Sequence, residues 1–221
     1  MKNSFLITIW LLAAPAFAQQ PQAVSKKHSD PEATLILNDL QKKLNACATL
    51  SIDFAFQSEK NGKTTEEMKG NIKVKGTKYA LSTKMQEVYC DGVTVWNYLP
   101  EQKEVTLSAY SEEEDSQVIN PLSLIKNYAK NYRSHFIKES LNKGVLEQII
   151  DLTPLKSSSL YKIRLVIDKN KKQIIRITLS EKDGMQYTYV VTKFLANQPV
   201  DDRSFVFEAA KHPGVEVIDM R

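Results

Sequence analysis

Residues that could do chemistry are few and scattered along this chain of 221 residues. The three histidines, His28, His135 and His212, lie far apart and lack the spacing of metal ligands. The two cysteines, Cys47 and Cys90, form no C-x-x-C pair that would indicate thiol redox chemistry. The sequence contains neither a G-x-S-x-G nucleophile elbow nor a glycine-rich phosphate loop. It therefore predicts no catalytic group, no metal and no cofactor, and favours a binding protein over an enzyme.

The two cysteines leave two interpretations open. In an exported protein, Cys47 and Cys90 are able to form a disulfide. Alternatively, both are buried thiols that act as small hydrophobic side chains. The sequence does not show whether their Cα atoms come close enough for a bond, so both interpretations stand.

Residues 1–18 have the pattern of a secretory signal peptide. Lys2 precedes an apolar run from Phe5 to Ala14, and Ala16-Phe17-Ala18 supplies the small residues of a cleavage site. We expect cleavage after Ala18, which leaves residues 19–221 as one mature domain. The apolar run is too short to span a membrane comfortably, and no second long one follows. Because no cysteine follows the cleavage site directly, we expect a soluble exported protein without an amino-terminal lipid anchor.

The overall composition is that of a globular domain. Hydrophobic residues make up 42% of the chain, which is enough to form a core. The formal net charge of +4 is small and spread along the sequence. A nucleic-acid surface would need clustered Lys and Arg, so we expect no nucleic-acid partner.

Two amphipathic helices and many short strands are predicted. Asp30-Pro31 has the pattern of a helix start, and Ile36, Leu40, Leu44 and Cys47 then form one apolar stripe. A second short helix is predicted to start at Asn120-Pro121 and to reach Tyr132, after an acidic loop at 111–117. Between and after these helices the apolar period is two, which indicates about ten antiparallel strands.

These elements define an α+β fold. A sheet of this length must curl. We expect a single curled antiparallel β-sheet that forms an incompletely closed barrel, with the short helices as its lid. Within residues 91–110, a predicted hairpin, Trp96 and Tyr98 share one face of a strand whose other face carries Val93 and Val95. Two large aromatics on one face and apolar residues on the other suggest that one face of this strand lies under the helices.

Several short motifs in this order resemble the outer membrane lipoprotein carrier family, the periplasmic LolA-type chaperones. They are F-x-F-Q at 54–57, G-x-I-x-V-K at 70–75, D-G-x-x-x-W-x-Y-x-P at 91–100, N-P-x-x-L-I at 120–125, and F-x-F with G-V-x-V-I-D at 205–219. Each motif alone has low specificity, but their order covers nearly the whole mature chain.

The resemblance implies a function without catalysis. Proteins of this kind enclose acyl chains of lipoproteins in an apolar cavity under a helical lid. The implied partners are acylated lipoproteins, an inner-membrane ABC-type lipoprotein release complex and an outer-membrane acceptor, and the implied location is the periplasm. We expect a monomer. The resemblance also suggests which residues bind the acyl chains: Phe54, Phe56, Ile72, Val74, Leu81, Trp96, Tyr98, Leu107, Leu122, Ile125, Tyr187 and Tyr189. For any one of them, a place in the ordinary hydrophobic core is at least as good an explanation.

One departure from the family pattern concerns the lid. In the family an Arg that follows the Lys of the second-strand motif helps to hold the lid shut, whereas Gly76 follows Lys75 here. Any latch in this protein must therefore be made by other residues.

Three alternative functions remain open at this stage. A periplasmic sensor of lipids or lipoproteins is able to use the same fold, although such regulators usually carry a further domain for which this chain has no room. A structural or adhesive β-protein would need no lid and no apolar interior. An enzyme acting on envelope lipids would need a nucleophile or a metal site.

Overall fold

The computed structural model describes residues 28–111 and 121–221 of the chain. The predicted signal peptide and nearly all of the predicted acidic loop lie outside these residues and stay predictions. The described residues contain three α-helices and two short 3-10 helices: α1 Pro31–Asn45, α2 Pro121–Lys126, α3 Tyr128–Asn131, Asp202–Phe205 and Ala209–Lys211. They also contain twelve strands: β1 Leu50–Lys60, β2 Lys63–Lys75, β3 Lys78–Thr83, β4 Glu87–Cys90, β5 Thr94–Leu99, β6 Glu104–Ala109, β7 Tyr132–Asn142, β8 Val145–Pro154, β9 Leu160–Asp168, β10 Gln173–Glu181, β11 Met185–Ala196 and β12 Glu216–Asp219.

All twelve strands belong to one curled sheet that hydrogen bonds do not close. Their order is β12-β6-β5-β4-β3-β2-β1-β11-β10-β9-β8-β7, so β12 and β7 are its two edges. This confirms the predicted α+β fold with a single, incompletely closed sheet. One correction is needed: β12 runs parallel to β6, so the sheet is mixed and not purely antiparallel. The chain reaches β12 through the two 3-10 helices, and this long return lets the last strand enter in the parallel direction.

Two differences from the predicted elements have clear physical causes. The helix predicted to reach Tyr132 is split into α2 and α3, and β7 begins at Tyr132 itself. Strand β7 was not predicted, because most of its side chains are polar and a bulge at Ile137 interrupts its alternation. The described chain therefore has more strands than the ten or so expected.

The buried face of helix α1 is rotated about the helix axis relative to the predicted apolar stripe. Pro31 stands at its start, where a missing N–H costs nothing, and the helix ends at Asn45, before Cys47. Its fully buried residues are Ala33, Leu37 and Leu40, while Ile36 and Leu44 are only partly buried. The Asp30 carboxylate accepts a hydrogen bond from the Phe136 N–H at 3.1 Å, which fixes the helix start against β7.

The three helices lie on one face of the sheet, which we call the inner face. Their buried side chains join those of β8, β9 and β10 in the main core, which includes Ile125 and Tyr128 from the helices and Ile150, Leu165 and Ile177 from the strands. Residues that oppose each other on paired strands point to the same face. The inner face therefore continues through Tyr189, which opposes Ile177, and Phe56, which opposes Tyr189.

Candidate functional site

The inner face holds an apolar cavity of about 400 Å³. It lies between the carboxyl-terminal end of α1 and the strands β1–β3, β10 and β11. Side chains from five strands, from the β3–β4 turn and from one helical residue line it: Leu44, Ile52, Phe54, Phe56, Glu66, Met68, Ile72, Leu81, Thr83, Met85, Gln86, Ile174, Ile177, Tyr189, Val191 and Phe194. Met85 is 51% exposed, so the β3–β4 turn forms part of the rim.

An aromatic group forms one wall of this cavity. The ring centroid of Tyr189 lies 5.7 Å from that of Phe54 and 4.9 Å from that of Phe56. Tyr187 stacks on Phe56 with centroids 6.3 Å apart. These offset and edge-on contacts are favourable arrangements of aromatic rings, and they fix the wall without filling the space.

Gly70 on β2 makes room for this wall. Its partner across the strand pair is Phe54, whose ring lies over the glycine. A Cβ atom at position 70 would overlap Phe54 Cζ and would lie 2.9 Å from Phe54 Cε2, closer than real Cβ contacts allow. The glycine of the G-x-I-x-V-K motif therefore positions an aromatic side chain of the cavity.

The cavity is almost free of charge. Glu66 is the one charged residue among its lining residues, which otherwise are apolar, aromatic or neutral polar. Burial raises the pKa of the Tyr189 hydroxyl above its usual value, and the nearby Tyr187 and Glu66 add to that shift. Tyr189 therefore remains neutral at any physiological pH. Such a lining suits the burial of hydrocarbon.

The structure places the predicted site residues in several locations. Five line the cavity: Phe54, Phe56, Ile72, Leu81 and Tyr189. Tyr187 stacks behind Phe56. Val74 and Ile125 line a second cavity of about 440 Å³ that also touches Leu44 and so adjoins the first. Leu122 lies in α2, but the position of its side chain is outside the described part of the structure.

Trp96, Tyr98 and Leu107 lie on the opposite face, which we call the outer face. Trp96 opposes Leu107 across β5 and β6, and together with Tyr98 they pack under Phe207 of the carboxyl-terminal segment. Tyr98 and Phe207 have ring centroids 5.1 Å apart. The inner face of this strand is instead the Val95 side, which packs with the cluster around Cys90. The aromatic face of the 91–110 hairpin thus points away from the helices.

Several cavity residues were not among the predicted ones. Ile52 belongs to the same alternation as Phe54 and Phe56, so its position was available from the pattern. Met68 precedes Gly70 by two residues and shares its face. Leu44 belongs to the apolar stripe predicted on α1, although it was not named as a cavity residue. Ile174 and Phe194 gave no such signal, because only the folded sheet brings β10 and β11 to the space beside α1.

Side-chain hydrogen bonds hold the helices to each other. Gln41 Nε2 donates to the Lys126 carbonyl at 2.7 Å, near the carboxyl-terminal end of α2, where helix carbonyls lack partners within the helix. The Tyr128 hydroxyl donates to Asn38 Oδ1 at 2.6 Å. Both contacts join α1 to the α2–α3 segment, which we call the lid segment, residues 121–131.

The β2–β3 turn lacks the Arg of the family pattern, and its lysines form ion pairs with the carboxyl-terminal segment instead. Gly76 has φ of +62°, a left-handed conformation that glycine adopts freely. On either side of it, Lys75 and Lys78 pair with the Asp202 carboxylate at 2.7 and 2.9 Å. The two ammonium groups lower the pKa of Asp202 to about 2. This turn is therefore attached to the carboxyl-terminal segment, whereas Gln41 and Tyr128 attach the lid segment to α1.

Cys47 and Cys90 are not bonded to each other. The structure has no disulfide between them, and Cys90 is buried whereas Cys47 is partly exposed. Cys47 Sγ lies 3.4 Å from the Lys43 carbonyl after the end of α1, and Cys90 is part of the small core over β3–β5. Cys90 is thus a buried thiol, as in the second interpretation, whereas Cys47 is not fully buried.

A curled sheet with helices over an apolar cavity is the fold of a carrier or binding protein. Residues 45–208 match the family model described as outer membrane lipoprotein carrier protein LolA. Since this match covers most of the chain, the protein belongs to that family. No curated protein sequence is significantly similar to this chain.

Solved structures are similar to this one at low sequence identity. An uncharacterized conserved protein from Thermus thermophilus is 12% identical, with a TM-score of 0.58 over 85% of this chain and 99% of that one. A LolA superfamily protein from Nitrosomonas europaea is 12% identical, with a TM-score of 0.45 over 79% of this chain and 97% of that one. The Pseudomonas aeruginosa MucA/MucB complex contains a chain 13% identical, with a TM-score of 0.41 over 80% of this chain and 61% of that one. The Thermus thermophilus protein, with a TM-score above 0.5 at 12% identity, supports a common fold and nothing more specific.

No helix among the described residues is long and apolar enough to cross a membrane.

Proposed function

We propose that this protein is a soluble periplasmic carrier that shields the acyl chains of lipoproteins during their transfer from the inner to the outer membrane. The observation that carries this proposal is the apolar cavity of about 400 Å³ on the inner face of the sheet, beside α1. Its volume falls within the range of pockets that enclose small apolar ligands. Family membership supports the same assignment.

The energetics of the cavity suit reversible binding. Burial of an acyl chain is worth ~0.8 kcal/mol per methylene, so a long chain gives on the order of 10 kcal/mol before costs. A carrier must also release its cargo, which favours a lining that adapts over one that fits a single shape. Met68 and Met85 are flexible side chains of this kind, and Met85 lies at the rim.

The proposed partners follow from the family assignment. Acylated lipoproteins would be the cargo, an inner-membrane ABC-type release complex the donor, and an outer-membrane acceptor the recipient. Export would depend on residues 1–18 as a cleaved signal peptide, and the carrier would act as a monomer without a cofactor.

A pair of neighbouring substitutions tests the proposal. Leu81 lines the cavity, whereas Ser82, the next residue, points to the outer face and is exposed. Leu81→Glu puts a charge into the cavity, and Ser82→Glu adds the same charge outside it. Purified protein would be mixed with inner-membrane vesicles that hold labelled lipoprotein, in the presence of the release complex and ATP.

We expect the parent protein and Ser82→Glu to bring label into the soluble fraction, and Leu81→Glu to bring little while remaining folded by circular dichroism. Equal transfer by both variants would contradict a role of this cavity. Binding of lipoprotein that is never passed to outer membranes would favour the sensor function over the carrier function.

A further inference from the structure

Glu66 is an isolated carboxylate in the lining of the apolar cavity. It lies on β2 opposite Ser58, and Ser58 opposes Tyr187 on the other side, so all three point to the inner face. Within residues 28–111 and 121–221, its side chain takes part in no ion pair and no hydrogen bond. Ser58 is already occupied, since its hydroxyl shares a hydrogen bond of 2.8 Å with that of Thr65.

The position of Glu66 within the cavity determines which part of a bound ligand it would contact. Leu44, Ile52 and Phe194 line the cavity near α1, where β1 begins, whereas Glu66 lies beyond Phe56 and Met68 toward the far end of β1. A long chain with its apolar end near Leu44 would therefore bring its polar end to Glu66. Glu66 also contributes to the raised pKa of Tyr189, which places its negative charge close to the aromatic wall.

A carboxylate at that place discriminates between polar ends by charge. It would attract a protonated amine and offer it hydrogen-bond acceptors, and it would repel a fatty-acid carboxylate. Other polar groups nearby do not reverse this preference, because Gln86 donates its amide to Asn97 Oδ1 at 2.6 Å and Thr83 is neutral.

We propose that Glu66 selects ligands whose acyl or alkyl chain is linked to a protonated amine, and that it rejects anionic single-chain lipids. This inference rests on the proposed function, since it assumes that chains enter the cavity. The amine has two plausible chemical sources, the amino terminus of an acylated peptide and the amino group of a lipid head group.

The test is displacement of a hydrophobic fluorescent dye by alkyl compounds of equal chain length. Dodecylamine, dodecanol and dodecanoate differ only in their polar end. We expect the parent protein to bind dodecylamine about tenfold more tightly than dodecanol, as a charge-assisted hydrogen bond in a partly dry site would give, and dodecanoate least tightly.

Glu66→Gln keeps the shape of the side chain and removes its charge. We expect this variant to bind all three compounds with similar affinity, and Glu66→Lys to prefer dodecanoate. Glu67→Gln is the matched control, because Glu67 is the next residue on β2, is exposed and points to the outer face. It should keep the full preference of the parent protein.

Two further probes distinguish the sources of the amine. An alkylated peptide with a free amino terminus would be compared with its acetylated form, and lysophosphatidylethanolamine would be tested in parallel. A Glu66-dependent preference for either free amine supports the proposal and identifies the source.

The inference is overturned if the parent protein shows no preference for dodecylamine, or if Glu66→Gln keeps that preference. Failure of the proposed function has a different result. In that case none of the three compounds displaces the dye, whatever its polar end.

Discussion

At the scale of single residues, the cavity depends on one glycine and the ring that lies over it. Gly70→Ala should lower the free energy of unfolding by about 1–3 kcal/mol, because the added methyl group overlaps Phe54 and forces an overpacked side chain to move. Urea unfolding of purified variants would measure this loss.

A double-mutant cycle tests the cause of that loss. If the added methyl group overlaps Phe54, Gly70→Ala should lower the free energy of unfolding clearly less in a Phe54→Leu background than in the parent protein. Additive losses of the two substitutions would contradict the proposed overlap.

A second prediction at this scale concerns Tyr189 and alkaline pH. Burial holds the pKa of Tyr189 in the folded protein above its value in the unfolded chain, which is about 10. The unfolded chain therefore loses this proton first, and the contribution to stability that is full below pH of about 10 declines above it. Tyr189→Phe removes the titrating hydroxyl, so its free energy of unfolding should fall less steeply than that of the parent between about pH 9 and about pH 11. Identical slopes in the two proteins would show that this hydroxyl is not buried as described.

At the scale of elements, the lid segment is held by side chains of α1. Gln41→Ala removes the hydrogen bond to the Lys126 carbonyl and should cost about 1 kcal/mol. Because that carbonyl lies at the end of α2, we expect faster amide hydrogen exchange in residues 121–131 and little change in β8–β10. Lys42→Ala, at the next position and exposed, is the control. Equal exchange in both variants would mean that Gln41 does not hold the lid segment.

The two faces of the sheet should respond differently to substitution. Trp96→Ala weakens the outer-face cluster under Phe207, so it should lower stability while leaving dye affinity within about twofold of the parent. Phe54→Ala removes part of the cavity wall and should lower stability by about 3–5 kcal/mol and also change dye affinity. Stability would be followed by denaturation and affinity by dye titration under conditions where each variant is folded. A strong loss of dye affinity in Trp96→Ala would mean that Trp96 contacts the ligand, which contradicts its position on the outer face.

These elements show what a sequence is able to predict and what it is not. The alternation of Leu50, Ile52, Phe54 and Phe56 identified β1 and its buried face, because that face is determined by neighbours within one strand. Which face of β5 lies toward the helices stayed open in the sequence, since both of its faces are apolar and the pleat direction gives no preference. What covers Trp96 is Phe207, more than a hundred residues later, and only tertiary structure brings the two together.

The candidate site was predictable to a similar extent. The F-x-F and G-x-I motifs lie on adjacent strands and supplied Phe54, Phe56 and Ile72. Glu66 gave no signal, because an isolated glutamate in a stretch of polar residues is typical of an exposed strand end. Its position on the inner face follows from the register of β1 with β2, which includes a bulge after Ser58.

At the scale of the whole molecule, the inner face of the long curled sheet contributes both to the main core and to the lining of the cavity. Over β8–β10 that face is covered by the helices and forms the main core. Over β1–β3 and β11 the same face lines an apolar space. The helices thus cover one half of the inner face, whereas the other half leaves an apolar space beside α1.

The most direct test of this account is native mass spectrometry of the protein isolated from its exporting cell without detergent. A carrier predicts a one-to-one complex with an acylated lipoprotein, and the same complex should fail to form with lipoprotein whose acyl chains have been removed. Protein that is isolated empty and takes up no acylated lipoprotein, or a complex that persists without the acyl chains, would contradict the central claim.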